Sequence, residues 1–197
     1  MSKAFVIGNG TSRKDFDLQR LVGKGKIYAC NAVYRTFASD FLIAVDPKMV
    51  HEIVANNYHL DGQVWTNFNK AYEKYSQLHY FNPNKGWSSG PTALWKAATD
   101  WYQELYILGF DYQGLFDGKR VNNIYSDTPN YKKSTDKATY HSNWLKQTCA
   151  VISRNPEIKY VRVVDEEIPF IPTEFRKLNN LKHITVEEFV QYHNFEQ

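Results

Sequence analysis

Short apolar runs alternate along the chain with longer stretches in which apolar residues recur at helical spacing. The clearest runs are AFVIG, KIYAC, DFLIAV, QVWTN, ELYILGF and KYVRVV, at residues 4–8, 26–30, 40–45, 63–67, 104–110 and 159–164. HYF near residue 80 is a weaker candidate. Continuous apolar runs of this length are typical of strands buried on both faces. The pattern therefore predicts five or six strands.

The segments between these runs show the helical spacing. They are DFDLQRLV, PKMVHEIVANN, PTALWKAATDWY and TYHSNWLKQTCAVISR. The tail TVEEFVQYHNF adds a last short helix, in which Thr185 and Glu188 fit a capping box. Strands that alternate with helices indicate an α/β fold. We predict a Rossmann-like single domain, residues 1–197, with a mainly parallel sheet and helices on both faces.

The region from Gly114 to Ala138 follows neither pattern. It is rich in Asp, Asn, Lys, Ser and Gly, which favour turns and irregular backbone. We interpret residues 114–138 as a short lid loop.

Composition narrows the class of protein. With 197 residues, of which 43% are hydrophobic and 16% aromatic, the chain is long and apolar enough to fold as one domain. The 24 basic and 21 acidic residues leave a charge of +3. Because no basic block is present, this mild excess fits an anionic small ligand rather than nucleic acid.

The chain carries no predicted membrane or export signal. No run approaches the roughly 20 apolar residues of a membrane span, and the N-terminal residues lack a signal-peptide pattern. Cys30 and Cys149 lie far apart, which favours reduced, buried thiols over a bridge. We therefore expect a cytoplasmic protein with no integral membrane segment.

Polar residues and glycines follow several of the predicted strands. In open α/β sheets ligands bind outside the carboxyl ends of the strands, so these positions are candidates for a site. They are GNGTS at 8–12, Asn31, Asp46 before Pro47, and the segment Gly109, Phe110, Asp111 and Tyr112. Gly8 and Gly10 let a ligand approach the backbone closely. Ser12 followed by Asp15 resembles a helix start, whose free amides suit an anion.

A second candidate anion site lies at Trp87–Ser88–Ser89–Gly90–Pro91–Thr92. Proline suits the first turn of a helix, and Ser or Gly suits the cap before it. The segment therefore predicts a helix N-terminus that offers hydroxyls and amides. A plain N-cap without a ligand is the alternative interpretation.

These blocks, in this order, resemble the motifs of bacterial sialyltransferases of glycosyltransferase family 42. The similarity rests on GNGTS with FDLQRL, YACNAVYR, AVDPKM, SSGPTALWKAATDWYQELYILGFDY and YHS, and it spans residues 4–153. The GNG, Asp-Pro and Ser-Gly to LGFDY blocks also resemble the domain of unknown function 115 group, which includes a hydroxymethylpterin pyrophosphokinase.

The sialyltransferase resemblance implies roles for particular residues. Asn9 and Asn31 would contact a cytidine nucleotide, and Ser88, Ser89 and Gly90 would line the nucleotide and donor sugar. His141 would be the general base that takes the proton of the acceptor hydroxyl. Tyrosine hydroxyls, with Tyr112 and Tyr140 nearest the motifs, and helix-end amides would meet the charge on the departing phosphate.

The same resemblance implies an inverting reaction without a metal or other cofactor. The donor would be a nucleotide sugar, CMP-linked by preference, and the acceptor a glycan or small molecule that carries a hydroxyl. The chain departs from the family pattern at Asp46, where an asparagine is expected, and at Ala138, where a tyrosine is expected. Lys85 and Gly86 stand near the place of an arginine, which bears on recognition of a carboxylated sugar.

Two other classes stay open at the sequence level. In a pterin pyrophosphokinase, Asp46 and Asp111 would bind Mg²⁺. In a non-catalytic module, the same crevice would bind a nucleotide without turnover. In either class, as in a transferase, a second subunit of a homo-oligomer would be able to complete the site.

Overall fold

A computed structural model describes residues 2–165 and 170–193 of the chain. Within them, one sheet of eight strands has the order β5-β4-β3-β2-β1-β6-β7-β8, and every neighbouring pair is parallel. The strands are β1 (Lys3–Ile7), β2 (Lys26–Cys30), β3 (Phe41–Ile43), β4 (Val64–Thr66), β5 (Leu78–Tyr80), β6 (Glu104–Leu108), β7 (Lys159–Val164) and β8 (Leu181–Thr185). The predicted α/β fold with a parallel sheet is confirmed.

The number of strands was predicted too low. Each predicted run overlaps a strand, and the weak candidate HYF overlaps β5. The missed strand is β8, which pairs with β7 at the edge of the sheet. Of its five residues only Ile184 is buried, so it offers no continuous apolar run to a sequence search.

Six helices connect or flank the strands in the described residues. They are α1 (Pro47–Ala55), α2 (Tyr58–Asp61), α3 (Ser89–Thr99), α4 (Leu115–Gly118), α5 (Ser142–Arg154) and α6 (Val186–Tyr192). Short 3-10 helices occupy Thr11–Arg13, Leu18–Leu21, Asn31–Arg35, Lys70–Tyr72 and Thr173–Lys177. The predicted capping box between Thr185 and Glu188 is present at the start of α6.

The segment DFDLQRLV does not form the predicted α-helix. Only the 3-10 helix Leu18–Leu21 forms there. Asp17 caps it by accepting the Gln19 N–H at 2.9 Å. Gly23, at φ +76°, turns the chain away two residues after its end.

The core lies on both faces of the sheet. Along β1, Phe5 and Ile7 point into an apolar cluster that includes α1 and α6. Ala4 and Val6 point to the opposite face, where α3 and α5 complete a second cluster. Burial on both faces explains why the strands read as continuous apolar runs.

Two further expectations concern the thiols and the membrane. Cys30 and Cys149 are both free. Throughout residues 2–165 and 170–193, each helix falls short of the length and apolar character that crossing a bilayer requires.

Candidate functional site

The loops that follow β1 and β6 lie side by side at the carboxyl edge of the sheet. From this pair the sheet extends one way through β2 and the other way through β7, so the two loops flank its topological switch point. The Gly8 N–H donates to Leu108 O at 2.8 Å, and the Gly10 N–H donates to Gly109 O at 2.8 Å. A crevice at a switch point is where ligands bind in open α/β sheets.

Glycine is required where these loops touch. A Cβ on Gly8 would lie 2.5 Å from Gly109 O, and Gly109 itself has φ +70°. A larger residue at either position would push the loops apart or strain the backbone. The glycines therefore fix how closely the two loops approach.

The crevice opens into a cavity of about 420 Å³. Its walls include all the residues predicted for the site except Ser12 and Tyr140. The predicted residues that line it are Gly8, Asn9, Gly10, Asn31, Asp46, Ser88, Ser89, Gly90, Asp111, Tyr112 and His141. Residues that are separated by more than a hundred positions in sequence thus meet around one space.

The N-terminus of α3 forms one wall. Pro91 has no N–H, and the Thr92 N–H is bonded to Ser88 O at 3.0 Å. In such a first turn the N–H groups of Ser89 and Gly90 have no intrahelical acceptor. The Ser89 hydroxyl is already engaged, because it accepts the Val45 N–H at 3.0 Å. Backbone amides and the positive end of the helix dipole therefore face the cavity.

Two buried arginines support the crevice loops, and sequence reasoning missed both. Arg13 is 6% exposed and its Nε donates to Gly8 O at 2.6 Å. Arg162, on β7, is 3% exposed and donates to Phe110 O at 2.7 Å and to Asp111 O at 3.0 Å. Burial lowers the pKa of Arg162, and nearby Tyr112 and Asp111 counteract that effect. Two guanidinium groups below the crevice favour an anion within it.

Three polar atoms near the crevice lack hydrogen-bond partners among the described residues. They are Asn9 Oδ1, Arg13 Nη2 and Asn31 Oδ1, and all are buried. Asn31 also has a left-handed backbone, with φ +52°. Buried polar atoms are normally bonded, so unpaired ones at a cavity indicate where a ligand supplies a partner.

Ser12 is not at a helix start of the predicted kind. It lies inside the three-residue 3-10 helix Thr11–Arg13, whose N-cap residue Gly10 has no capping side chain. The Ser12 N–H donates to an Asp111 carboxylate oxygen at 3.0 Å, and its hydroxyl donates to the other oxygen. Ser12 therefore positions Asp111, and it lines a smaller neighbouring cavity of about 280 Å³.

Asp46 and Asp111 both border the main cavity, and each carboxylate already accepts at least one hydrogen bond. Asp46 Oδ1 accepts the Lys48 N–H at 2.9 Å as the N-cap of α1, while Asp111 is held by Ser12. Across the described ranges no group of three or more His, Cys, Asp or Glu residues is arranged to hold a metal ion.

The three predicted catalytic residues occupy different environments. His141 precedes α5 and lines the cavity, with its ring 6.0 Å from that of Phe170. Tyr112 is buried, its hydroxyl lies 2.6 Å from Thr148 Oγ1, and burial raises its pKa. Tyr140 is 81% exposed and does not line the cavity. Of the three, only His141 combines partial exposure with a place on the cavity wall.

The predicted lid segment, 114–138, divides into two parts. Residues 122–131 form an inner wall that packs on the crevice. The Ile124 N–H donates to Asn9 O at 2.8 Å, and Asn122 Oδ1 accepts the Thr11 N–H at 2.8 Å. The Tyr125 side chain is buried in the core. The inner wall is therefore part of the folded domain.

Tyr131 brings the inner wall into contact with two strand ends. Its hydroxyl oxygen accepts the Asn9 Nδ2 amide at 3.0 Å and the Ala32 N–H at 3.3 Å. Burial raises its pKa, so the phenol is neutral. Tyr131 also lines the cavity. A tyrosine inside a polar loop gave no sequence signal that distinguished it from Tyr125 or Tyr140.

An ion pair holds the inner wall to the rest of the domain. Arg35 donates from Nε and Nη2 to the two Glu52 carboxylate oxygens at 2.7 and 2.6 Å. Arg35 also donates to Thr128 Oγ1 at 2.7 Å, and Asn130 Nδ2 donates to Glu52 at 2.7 Å. Burial raises the pKa of Glu52, but the hydrogen bonds from Arg35, Tyr34 and Asn130 outweigh it and leave that pKa lowered.

The remaining residues of the segment, 114–121 and 132–138, together with Thr139 and Tyr140, form an exposed flap, 114–121 and 132–140. Arg120 pairs in antiparallel bridges with Leu115 and with Lys137. A Cβ on Gly114 would lie 2.7 Å from the Ala138 Cβ, so the two arms of the flap meet tightly at its base. The flap ends at Tyr140 and leads directly into His141.

Comparison of the chain with family models, curated proteins and solved structures gave no match in any of the three searches.

Proposed function

We propose that this chain binds a nucleotide sugar in the crevice and transfers the sugar, with inversion, to a hydroxyl of an acceptor. The observation that carries the proposal is the convergence of the crevice loops, the N-terminus of α3 and His141 around one cavity. A volume of about 420 Å³ lies within the range of small-molecule sites. The motif resemblance to glycosyltransferase family 42 favours a CMP-linked donor.

Electrostatics supports an anionic donor. The Ser89 and Gly90 amides form the open end of α3, and the buried guanidinium groups of Arg13 and Arg162 lie beneath the loops. These fixed positive groups would stabilise the phosphate both in the bound donor and as the leaving group. Asn9 and Asn31 have unpaired carboxamide oxygens that would accept hydrogen bonds from the nucleoside.

His141 would act at the rim of the cavity. A neutral imidazole takes the proton of the acceptor hydroxyl as the new glycosidic bond forms, and the nucleotide departs with the electrons of the broken bond. Tyr131, whose hydroxyl is at the crevice, replaces Tyr112 and Tyr140 in this proposal as the phenol beside the donor. No metal is assigned a role in this scheme.

A binding screen tests the class of ligand. Purified protein is titrated calorimetrically with CMP, UDP, GDP, ATP and GTP, each with and without Mg²⁺. The proposal predicts that CMP binds and that Mg²⁺ does not change its affinity. Binding of ATP or GTP only with Mg²⁺ would instead favour the pterin pyrophosphokinase class. No binding by any nucleotide would contradict the proposal.

A turnover assay tests the role of His141. CMP-sialic acid and other nucleotide sugars are incubated with wild type, His141→Ala and the matched control His79→Ala, whose side chain is exposed. Loss of a general base is expected to lower the rate by about 10²- to 10⁴-fold, while the control keeps the wild-type rate. Equal rates in wild type and His141→Ala would exclude the assigned role. Tight CMP binding without turnover of any donor would favour a non-catalytic module.

A further inference from the structure

The flap concentrates the positive charge of the molecule. Its seventeen residues, 114–121 and 132–140, include five basic and two acidic side chains, a net charge of +3. The formal charge of the whole chain is also +3, so the remaining residues are balanced. One acid of the flap, Asp136, is engaged locally, since its carboxylate accepts the Lys133 N–H at 2.9 Å. The exposed cations therefore dominate the local field.

Three of these cations form a cluster, which we call the cationic cluster: Arg120, Lys132 and Lys137. Arg120 and Lys137 are directly opposite each other in an antiparallel bridge. Like charges in that arrangement repel. Lys132 Nζ lies 3.4 Å from Lys137 O, which brings a third positive charge to the same place. The repulsion within the cluster would be relieved by an external anion.

Aromatic side chains project from the same flap. Phe116 is 78% exposed and Tyr140 is 81% exposed. Phe116, Asp117 and Gly118 all have left-handed backbone, at φ +52°, +57° and +80°. For a bulky residue such as phenylalanine this conformation is unfavourable. The turn thus holds a largely exposed apolar ring at a conformational cost.

We propose that the flap docks the protein on a lipid bilayer that contains anionic lipids. Exposed aromatic rings beside lysine and arginine are the combination that binds the interface of a bilayer. Phe116 and Tyr140 enter the headgroup region, and the cationic cluster binds lipid phosphates. Protruding rings favour a bilayer over a soluble polyanion, which would engage the cations alone.

Docking would also orient the cavity. Tyr140 immediately precedes His141, which lines the cavity together with Trp144. Trp144 is itself exposed at the rim. A flap resting on a bilayer therefore turns the mouth of the cavity toward the membrane surface. The docking does not depend on the proposed function, because it requires neither a nucleotide nor turnover.

Vesicle sedimentation tests the proposal with the full chain. The protein is mixed at low ionic strength with vesicles of phosphatidylcholine alone or of phosphatidylcholine with phosphatidylglycerol. We expect binding to the anionic vesicles that is at least about tenfold tighter than to the neutral ones, and that weakens as salt is added. Arg120→Gln with Lys137→Gln should weaken it about thirtyfold, and Phe116→Ser about tenfold.

The matched control is Lys159→Gln with Lys182→Gln, two exposed lysines near the amino ends of β7 and β8, whereas the crevice lies at the carboxyl ends of the strands. It should bind within about twofold of wild type, because charges beyond a Debye length of the bilayer are screened. Circular dichroism verifies that each variant is folded, and His141→Ala should bind vesicles like wild type.

Three results would overturn the proposal. The first is equal or absent binding of wild type to both kinds of vesicle. The second is an equal loss in the control pair and the cluster pair. The third is wild-type binding by Phe116→Ser together with displacement of the protein by inorganic polyphosphate, which would identify a surface for soluble polyanions.

Discussion

The inner wall and the flap are neighbours in sequence but differ in how strongly they are anchored to the rest of the domain. The inner wall, 122–131, buries Tyr125 and is tied to the crevice and to the Arg35–Glu52 pair. The flap, 114–121 and 132–140, is held by bridges within itself and by two hydrogen bonds to Asp127 of the inner wall, and it leaves Phe116 exposed. A single polar segment thus supplies both a fixed part of the site and a surface that faces outward.

This difference indicates which part is more firmly anchored. Both parts line the cavity, the flap through residues such as Val121 and Lys132. Many contacts anchor the inner wall, so opening it requires breaking buried hydrogen bonds. The flap is bonded mainly within itself and to Asp127, and most of its side chains are exposed. We expect the inner wall to open only with the domain, and the flap to open independently.

The largest expected effect is that of Arg35→Met. The change removes the ion pair and the bond to Thr128, and it leaves the Glu52 carboxylate without a cation at a largely buried position, 14% exposed. We expect the free energy of unfolding, measured in urea, to fall by about 2–3 kcal/mol, less than for a fully buried pair.

Arg120→Met in the flap is the matched comparison. Arg120 is exposed and stands opposite another cation, so the change should alter the free energy of unfolding by less than about 0.5 kcal/mol. Equal losses in the two variants would mean that the inner wall is no better anchored than the flap.

Removal of the Tyr131 hydroxyl should have a smaller effect on stability, and Tyr140 provides the matched control. Tyr131→Phe leaves the Asn9 amide and the Ala32 N–H without their acceptor, which should cost about 1–2 kcal/mol of stability and weaken CMP binding. Tyr140→Phe, at an exposed side chain, should stay within about 0.5 kcal/mol of wild type. Thermal unfolding and calorimetry with CMP measure both quantities. A Tyr131→Phe protein that behaves like Tyr140→Phe would remove Tyr131 from the site.

The smallest expected effect is a change in the free energy of unfolding with pH, which depends on Glu52. The folded-state pKa of Glu52 is lowered from its usual value near 4.5. As pH falls, the Glu52 carboxylate is therefore protonated in the unfolded chain before it is protonated in the folded chain. The stabilisation from Glu52 is present above pH 4.5 and is lost as pH falls through the lowered pKa. Wild type should exceed Glu52→Gln in stability by about 1 kcal/mol near neutral pH, and urea unfolding should show this gap closing in acid. If the difference in stability between wild type and Glu52→Gln does not change with pH, the destabilisation comes from packing and not from the charge of Glu52.

Much of the fold and of the crevice floor could be predicted from sequence. Buried parallel strands leave apolar runs, and Gly8, Asn9 and Asn31 follow such runs directly, while Ser89 was predicted from the signature of a helix N-terminus. Local patterns of this kind identify strand ends, and the rules of parallel sheets bring strand ends together. That is why residues 8–12, 31 and 88–90 could be placed near one edge.

The parts that could not be predicted depend on contacts between distant residues. Arg13 and Arg162 become supports of the crevice only because their side chains reach loop carbonyls, at Gly8 and at Phe110 and Asp111. Tyr131 reaches Asn9 across 122 positions. Neither periodicity nor turn chemistry reports such pairings, and in sequence the anchored and exposed parts of the lid segment look alike.

Hydrogen–deuterium exchange of the full chain, with and without CMP, tests whether the inner wall is fixed in the free protein and whether the crevice binds a nucleotide. We expect amides of 122–131 to exchange slowly even without ligand and those of the flap to exchange quickly. We further expect CMP to slow exchange at 8–12 and 88–92. Rapid exchange of 122–131 in the free protein, or CMP protection confined to other segments, would contradict a prebuilt nucleotide crevice closed by the inner wall.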